Sequence, residues 1–284
     1  MRRSGWHRGL NGDMLTSALA KPGGLCRMLK VATWNVNSLN VRLPHVLAWT
    51  ADAAPDVLGL QETKLVDEKF PVEALRSAGY ESVFSGQPTY NGVALLSRRG
   101  PAEDVVTDIP GLDDPQRRIL AGTVDGVRVI NLYVVNGKEV GSDKYAYKLH
   151  WLERVTEWIG EEMSRHERVI VMGDFNIAPE DRDVHDPEAW AGKILCSDAE
   201  REALGRLQAL GLADTFRLFD QPEKAFSWWD YRRVAFRRNA GLRIDLILAS
   251  ELLAEACERA WIDKEPRRQE RPSDHTPVVA EFDA

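Results

Sequence analysis

The chain has 284 residues, a formal net charge of −7 and 44% hydrophobic residues. That is enough apolar material for one large domain or two small ones, and it excludes a mostly disordered chain. No apolar run approaches the ~18 residues of a membrane span, and the three cysteines, Cys26, Cys196 and Cys257, are too few and too scattered for a disulfide framework or a cysteine zinc site. Reduced thiols fit a reducing compartment, so a cytoplasmic protein, and a monomer, is the expectation.

Residues 1–27 form a Gly-rich leader in which Arg2, Arg3, Arg8, Lys21 and Arg27 face only Asp13. The leader has no long apolar stretch, which speaks against a secretory signal. Met28 is the expected natural start, with 1–27 a disordered extension or an upstream start-site artefact. A basic arm that touches phosphates is the alternative. The rest of the chain is then more acidic than the whole, yet clustered cations still bind polyanions, and bound metal can neutralise part of the excess.

From residue 28 onward the pattern reads as one domain. Strands are predicted over Lys30–Val36, Val57–Gln61, Ser82–Ser85, Val93–Ser97, Ile119–Val124, Val127–Val134, Val169–Met172, Ile244–Leu248 and Pro277–Phe282. Helices are predicted over Leu43–Asp52, Pro71–Ala78, Lys144–Arg165, Asp198–Leu210 and Glu251–Ala256. Leu149, Leu152, Val155, Trp158 and Ile159 recur at helical spacing and belong to the core. Asp125-Gly126 joins two strands as a hairpin turn. Alternating strands and helices broken by hairpins predict an α/β domain of two mixed sheets packed face to face, helices outside. VATWN and VMGDFN echo each other weakly, as counterpart strands of two halves would.

Chemistry collects at strand ends. VIVMGDFNIAP stops a buried strand at Asp174 and Asn176, two residues apart and on one side of an extended backbone. A carboxylate beside an amide suits phosphate chemistry, since one takes a proton or a hard cation while the other donates to a phosphate oxygen. An Asx turn closing a strand would look the same. However, VATWNVN brings Asn35 and Asn37, DVLGLQET brings Glu62, LRIDLIL carries Asp245, and PSDHTPV offers Asp274 and His275. Strand ends of a sheet scaffold build one site from distant sequence in this way.

The segments WNVNSL, LQETK, NGVALLSR, PQRRI, VINLY, GDFNIAP, GLADTFR, FSWWDYR, GLRIDLIL and PSDHTPV follow one another from about Leu29 to Phe282. In that order they resemble the exonuclease III branch of the endonuclease/exonuclease/phosphatase superfamily, which includes AP endonucleases and deoxyribonuclease I-like proteins. The resemblance implies a four-layer α/β sandwich and a divalent-metal-dependent DNA-repair nuclease. Its substrate would be double-stranded DNA with 3′ ends, nicks or abasic sites. The cofactor would be Mg²⁺ or Mn²⁺, ions suited to hard oxygen donors. Glu62 is the leading metal ligand, with Asn35 and Asp274 as helpers. Asp174 would activate water and Asn176 would hold a non-bridging oxygen. Asp245 and His275 would form a pair facing the phosphate. Reading His275 as the base, or Asp174, Asn176 and His275 as ligands of a second metal, stays open. Tyr133 matches the family's active-site tyrosine.

A DNA-facing segment is expected in FSWWDYRRVAFRRNAGLR, where Arg232, Arg233, Arg237, Arg238 and Arg243 interleave with Trp228, Trp229, Tyr231 and Phe236. Trp228 sits where the family has its pocket tryptophan. Arg98, Arg117 and Lys148 are further candidate phosphate contacts. Two departures stand out. Tyr133 is followed by Val134-Val135-Asn136-Gly137 rather than Pro-x-Gly. His185 stands where abasic-site nucleases of this branch commonly carry glycine. If its ring enters the site it takes the space of a flipped abasic sugar, which favours 3′-end processing. If it faces solvent it does not. A phosphatase for small-molecule or lipid phosphates on the same scaffold is the competing reading.

Overall fold

The computed structural model describes residues 28–283; the leader expected over residues 1–27 lies outside the described residues. The first half comprises β1 (Met28–Asn35), α1 (Leu39–Ala53), β2 (Val57–Gln61), α2 (Val72–Ser77), β3 (Glu81–Ser85), β4 (Val93–Ser97), β5 (Glu103–Val106) and β6 (Ile119–Val124). The second comprises β7 (Val127–Tyr133), α3 (Asp143–Arg165), β8 (Val169–Asp174), α4 (Pro187–Trp190), α5 (Asp198–Gln208), β9 (Leu212–Asp214), β10 (Asp245–Ser250), α6 (Glu251–Glu255), β11 (Cys257–Ile262) and β12 (Val278–Asp283).

Two six-stranded sheets result, ordered β11-β12-β1-β2-β4-β3 and β5-β6-β7-β8-β10-β9. Each has one parallel pair at its centre, β1 with β2 and β7 with β8. The crossover helix is α1 in one sheet and α3 in the other. Adding six to each strand number maps β1-β2-β4-β3 onto β7-β8-β10-β9, so the sheets are counterparts. The halves do repeat, but the counterpart of VATWN is VINLY, and the counterpart of VMGDFN is the strand before Glu62. The internal echo paired the wrong strands because it followed the shared Asn rather than the crossover order.

Packing explains the four layers. Val31, Val57, Val93 and Leu95 of the first sheet face Leu120, Val129, Ile170 and Met172 of the second in a buried cluster. Trp34, Leu58, Leu60 and Leu96 point outward under α1 and α2, with Leu39, Val46 and Trp49. Val171, Leu246 and Leu248 point outward under α3 and α5, with Trp151, Leu152, Val155 and Ile159. Each fully buried aliphatic side chain contributes roughly 1.5–3 kcal/mol. A polar rung crosses the dry interior. Gln61 Nε2 donates to Thr33 Oγ1 (2.8 Å) and Asn131 Oδ1 (2.6 Å), and Asn131 Nδ2 donates to the carbonyls of Leu60 and Ala94. Such a rung tolerates no sliding of one sheet over the other, because a slip strands buried donors.

The expected elements are present with shifted ends. Asp125 and Gly126 both have positive φ (51° and 77°), as a two-residue hairpin turn needs. α1 begins four residues before its expected start and carries Pro44 inside. Its first amides are held from outside, Ser38 N donating to Glu62 O and Leu39 N to Thr63 O. β5, β9 and β11 were not expected. β9 has only three residues, and β5 and β11 are exposed edge strands with charged residues, which lack an apolar run.

One ion network carries the segment before α4. Asp183 is fully buried and accepts from Arg217 and from Arg243 Nε (2.7 Å), while Arg243 Nη2 also reaches Asp214 (2.8 Å). Removing one partner of such a cluster leaves an uncompensated buried charge. Asp183→Ala is therefore expected to destabilise the fold by about 3–5 kcal/mol, read as a lowered midpoint of urea unfolding.

Candidate active site

Asn35 ends β1 and Tyr133 ends β7; Glu62 follows β2 and Asp174 ends β8. The four meet across the joint between the sheets. Asn35 Nδ2 donates to Glu62 Oε1 and Asp174 Oδ2, both at 2.9 Å, and Tyr133 OH donates to Glu62 Oε1 at 2.8 Å. Gly173 makes this possible, because a Cβ there would sit 1.9 Å from the Leu132 carbonyl oxygen of the neighbouring strand. Positive φ at Asn37 (43°), Glu62 (54°), Lys64 (53°) and Asn176 (48°) concentrates backbone strain at the same edge.

Asp245 faces Asp174 directly in the β8–β10 register. Two carboxylates opposite one another repel, and both are buried. His275 lies against both, its Nδ1 2.9 Å from Asp245 Oδ2 and its Nε2 3.7 Å from Asp174 Oδ2. Burial alone would lower the imidazole's pKa, but Asp245 and then Asp174 overturn this and raise it above 6.5. The ring thus serves as a cation between the acids. Burial raises the Asp174 carboxyl above its ordinary value, and Asp245 adds to this while His275 opposes it. Tyr133 is held well above its ordinary value by burial and by the charges of Glu62 and Asp174, so it remains a donor. Ser227, not foreseen from the sequence, holds Asp245 by donating from Oγ to Oδ2 at 2.6 Å.

The donor set fits a hard cation at Glu62. Burial works against this carboxylate, yet Lys64 and the Asn35 amide hold its pKa below the ordinary value. The Lys64 ammonium lies 2.8 Å from Glu62 Oε2 and 2.5 Å from Asn37 Oδ1, so an anionic and a neutral oxygen already converge on positive charge. Asp274 stands one step away, accepting from Asn37 Nδ2 and from the Trp228 indole, both at 3.0 Å. Asn176 is tied from three directions. Its Nδ2 reaches Val134 O (3.0 Å) and Asp174 Oδ2 (3.2 Å), and its Oδ1 accepts from Asn136 Nδ2 (3.0 Å). Asn37, already singled out beside Asn35, joins the site together with Lys64 and Asn136, which were not foreseen; the polar ETK run was the available signal for Lys64.

Beside it lies a cavity of about 350 Å³ lined by His185, Trp190, Trp228, Arg232, Arg233 and Arg238 among others. His185 is half-buried, edge-on to Trp190 at 6.2 Å, with Nδ1 3.2 Å from Gly241 O. His185 thus lines the Trp228 cavity and also a second cavity formed with Arg182, Arg217 and Lys224, and keeps part of its surface exposed. Arg232, Arg233, Arg237 and Arg238 are exposed, and none has a carboxylate partner among the described residues. Arg117 is half-exposed and paired with Asp108 at 2.8 Å.

Several expected contacts are corrected. Lys148 cannot reach a DNA phosphate, because its side chain is fully buried against Glu200. Arg98 follows β4, whose Ser97 pairs with Val57 at the start of β2, the sheet end opposite Glu62. Arg243 is sealed in the Asp183 and Asp214 network. Trp229 is core, packed with Phe226 and Phe236.

Residues 32–275 match the model of the Endonuclease/Exonuclease/phosphatase family. The chain is 36% identical over 270 residues to exodeoxyribonuclease III of Haemophilus influenzae, covering 89% of this chain and 100% of that protein. It is 51% identical to the solved 3′-5′ exonuclease NExo from Neisseria meningitidis, with a TM-score of 0.88 over 90% of this chain and 100% of that one. An AP endonuclease from Archaeoglobus fulgidus is 39% identical, with a TM-score of 0.86 over 90% of this chain and 100% of that one. The chain therefore belongs to the endonuclease/exonuclease/phosphatase family. Within it, the chain is a hydrolase of the exonuclease III branch.

Asp245→Asn is expected to lower the His275 pKa, visible by NMR titration of the imidazole in metal-free protein. The folded-state value lies above 6.5, so this interaction stabilises the fold fully below pH 6.5 and fades as pH rises through the raised value. The variant's stability deficit in urea is expected to be larger on the acid side of that window than in alkali.

Proposed function

We propose that this protein is a metal-dependent DNA-repair nuclease that hydrolyses phosphodiesters at 3′ ends of duplex DNA, as a 3′→5′ exonuclease and a 3′-phosphatase or 3′-phosphodiesterase. The observation that carries the reading is the Asp174–His275–Asp245 cluster with Asn176 and Glu62, opening beside a cavity walled by His185 and flanked by unpaired arginines. The solved Neisseria relative bound to a product DNA hairpin, a 3′ phosphatase at 51% identity, supports the same substrate class.

In this reading Asp174 takes the proton of the attacking water, and its raised pKa suits that task. Asn176 donates to a non-bridging oxygen, displacing its longer bond to Asp174. The His275 imidazolium, fixed by Asp245, offsets charge developing on the phosphate. Tyr133 donates at the same edge and fixes Glu62. Mg²⁺ or Mn²⁺, held by Glu62 and Asn35 with Asp274 nearby, would supply positive charge for the leaving 3′-oxygen. Trp228 packs the terminal sugar, and Arg232, Arg237, Arg238 and Arg117 meet phosphates of the duplex. We read the protein as a cytoplasmic monomer; among the described residues no helix is long and apolar enough to cross a membrane. A small-molecule phosphatase on this scaffold has no use for the unpaired arginine face.

The His185 ring fills part of the space that an extrahelical abasic sugar needs, while a terminal 3′-phosphate demands less. The test is cleavage of two labelled duplexes, one with an internal abasic site and one with a 3′-phosphate at a nick. Wild type is expected to process the 3′-phosphate with Mg²⁺ and not with EDTA, and His185→Gly to gain abasic incision. Efficient wild-type cutting of both substrates would remove the role given to His185. Asp174→Asn is expected to lower kcat by about 10²–10⁴-fold while DNA affinity holds. Glu62→Ala is expected to shift the Mg²⁺ requirement upward.

A further inference from the structure

Lys148 lies on the buried face of α3, and neither it nor Glu200 exposes any side-chain surface. Its ammonium donates to the Asn176 carbonyl at 2.7 Å, to the Asn136 carbonyl at 3.3 Å, and to Glu200 Oε1. Glu200 is itself fixed by the start of α5. It accepts from Leu195 N, Ser197 N and Ser197 Oγ at 3.1, 3.1 and 2.7 Å. Glu200 N in turn donates to Ser197 Oγ, completing a capping box. The same strap reaches the Asn176 loop a second time, through Ala178 N donating to Leu195 O at 2.8 Å. Both carbonyls held by Lys148 belong to residues whose side-chain amides meet at the site, Asn136 Nδ2 donating to Asn176 Oδ1. Asn176 also has positive φ (48°), a conformation its own backbone does not favour.

From this geometry we propose that Lys148 is a positioning residue: anchored by Glu200, it clamps the Asn136 and Asn176 backbones and so aims their side-chain amides at the reacting phosphate. This deepens the proposed nuclease reading, since it rests on Asn176 contacting that phosphate. An ammonium with three directional donors suits the task, because two hold carbonyls and one meets the counter-charge. The cap of α5 thereby becomes part of the active-site frame, although α5 contributes no side chain to the reaction. A buried ion pair is a poor means of stabilising a fold, so fixing one arrangement of the Asn136 and Asn176 loops is the role its contacts suit.

The test compares Lys148→Met/Glu200→Gln with wild type and with Asn176→Ala. The double variant removes both charges together, and Gln at the third helical position preserves the cap. Turnover on a 3′-phosphate duplex and DNA affinity at several salt concentrations are measured. The expected result is a kcat at least tenfold lower with an unchanged salt slope. An unchanged kcat overturns the proposal, as does a slope shallower by about 0.9, the mark of one lost phosphate contact. Should the double variant not fold, Ser197→Ala alone serves, since it keeps both buried charges and removes the hydroxyl that helps anchor Glu200. A kcat reduced threefold or more with unchanged DNA affinity is expected there, and a wild-type kcat overturns the proposal. Asn176→Ala separates the two ideas. If it retains wild-type turnover, the role given to Asn176 is wrong; if it loses turnover while the Lys148 variants keep theirs, only the positioning inference is wrong.

Discussion

Three carboxylates in one largely buried edge are the constraint around which this molecule is arranged. Asp174 and Asp245 oppose each other in register, and Glu62 is one amide away through Asn35. Buried like charges are costly unless donors and cations surround them. Each neighbour meets that demand. Asn35, Asn176, Ser227 and Tyr133 donate hydrogen bonds, while His275 and Lys64 bring positive charge. No donor faces a carboxylate by accident of one strand. They arrive from both sheets, so the sheets must stack in one relation, and the Gln61–Asn131 rung keeps them there.

The duplicated topology explains why such a cluster is reachable at all. A parallel pair with its crossover helix brings two strand ends to the same edge. Two such pairs packed face to face bring four. Asn35 and Tyr133 occupy equivalent positions, as do the residues ending β2 and β8. Side chains then cross the joint, Asn35 to Asp174 and Tyr133 to Glu62. The halves hold different side chains on equivalent frames, Asn35 and Glu62 on one side and Tyr133 and Asp174 on the other.

Much of this was legible in the sequence because it is written in strand ends. An apolar run that halts at a carboxylate marks both the strand and its tip, so Glu62 and Asp174 stood out, while Asp245 stood out as a lone carboxylate inside the apolar run LRIDLIL. Charged edge strands such as β5 and β11 were silent, since exposed pairing leaves no apolar run. Lys148 is the instructive error. Its charge suggested a phosphate, yet it sits four residues before Leu152 and seven before Val155, on the stripe that builds the core. The periodicity that identified Leu152, Val155 and Ile159 as core applied equally to Lys148. Arg243 repeats the lesson, lying between the buried Leu242 and Ile244. A cation inside an apolar stripe asks first for a buried partner, and both residues have one.

The cavity wall at His185 has supports of its own. His185 hangs from a segment held by Asp183 beneath Arg217 and Arg243, and Val184 bridges to Leu242, which in turn bridges to Trp228. Trp228 then bridges to His275 and donates to Asp274. The cavity wall and the His275 imidazole thus share a short run of backbone that also carries Asp274, yet the two carboxylates that act most on His275, Asp245 and Asp174, lie on β10 and β8, outside that run. A change of side chain at position 185 therefore alters the cavity wall while leaving the Asp174–His275–Asp245 contacts to strands β8 and β10. On the proposed reading, admission would depend on the ring at the cavity wall and hydrolysis on the carboxylates at the sheet joint, so one scaffold could serve abasic sites or 3′ ends.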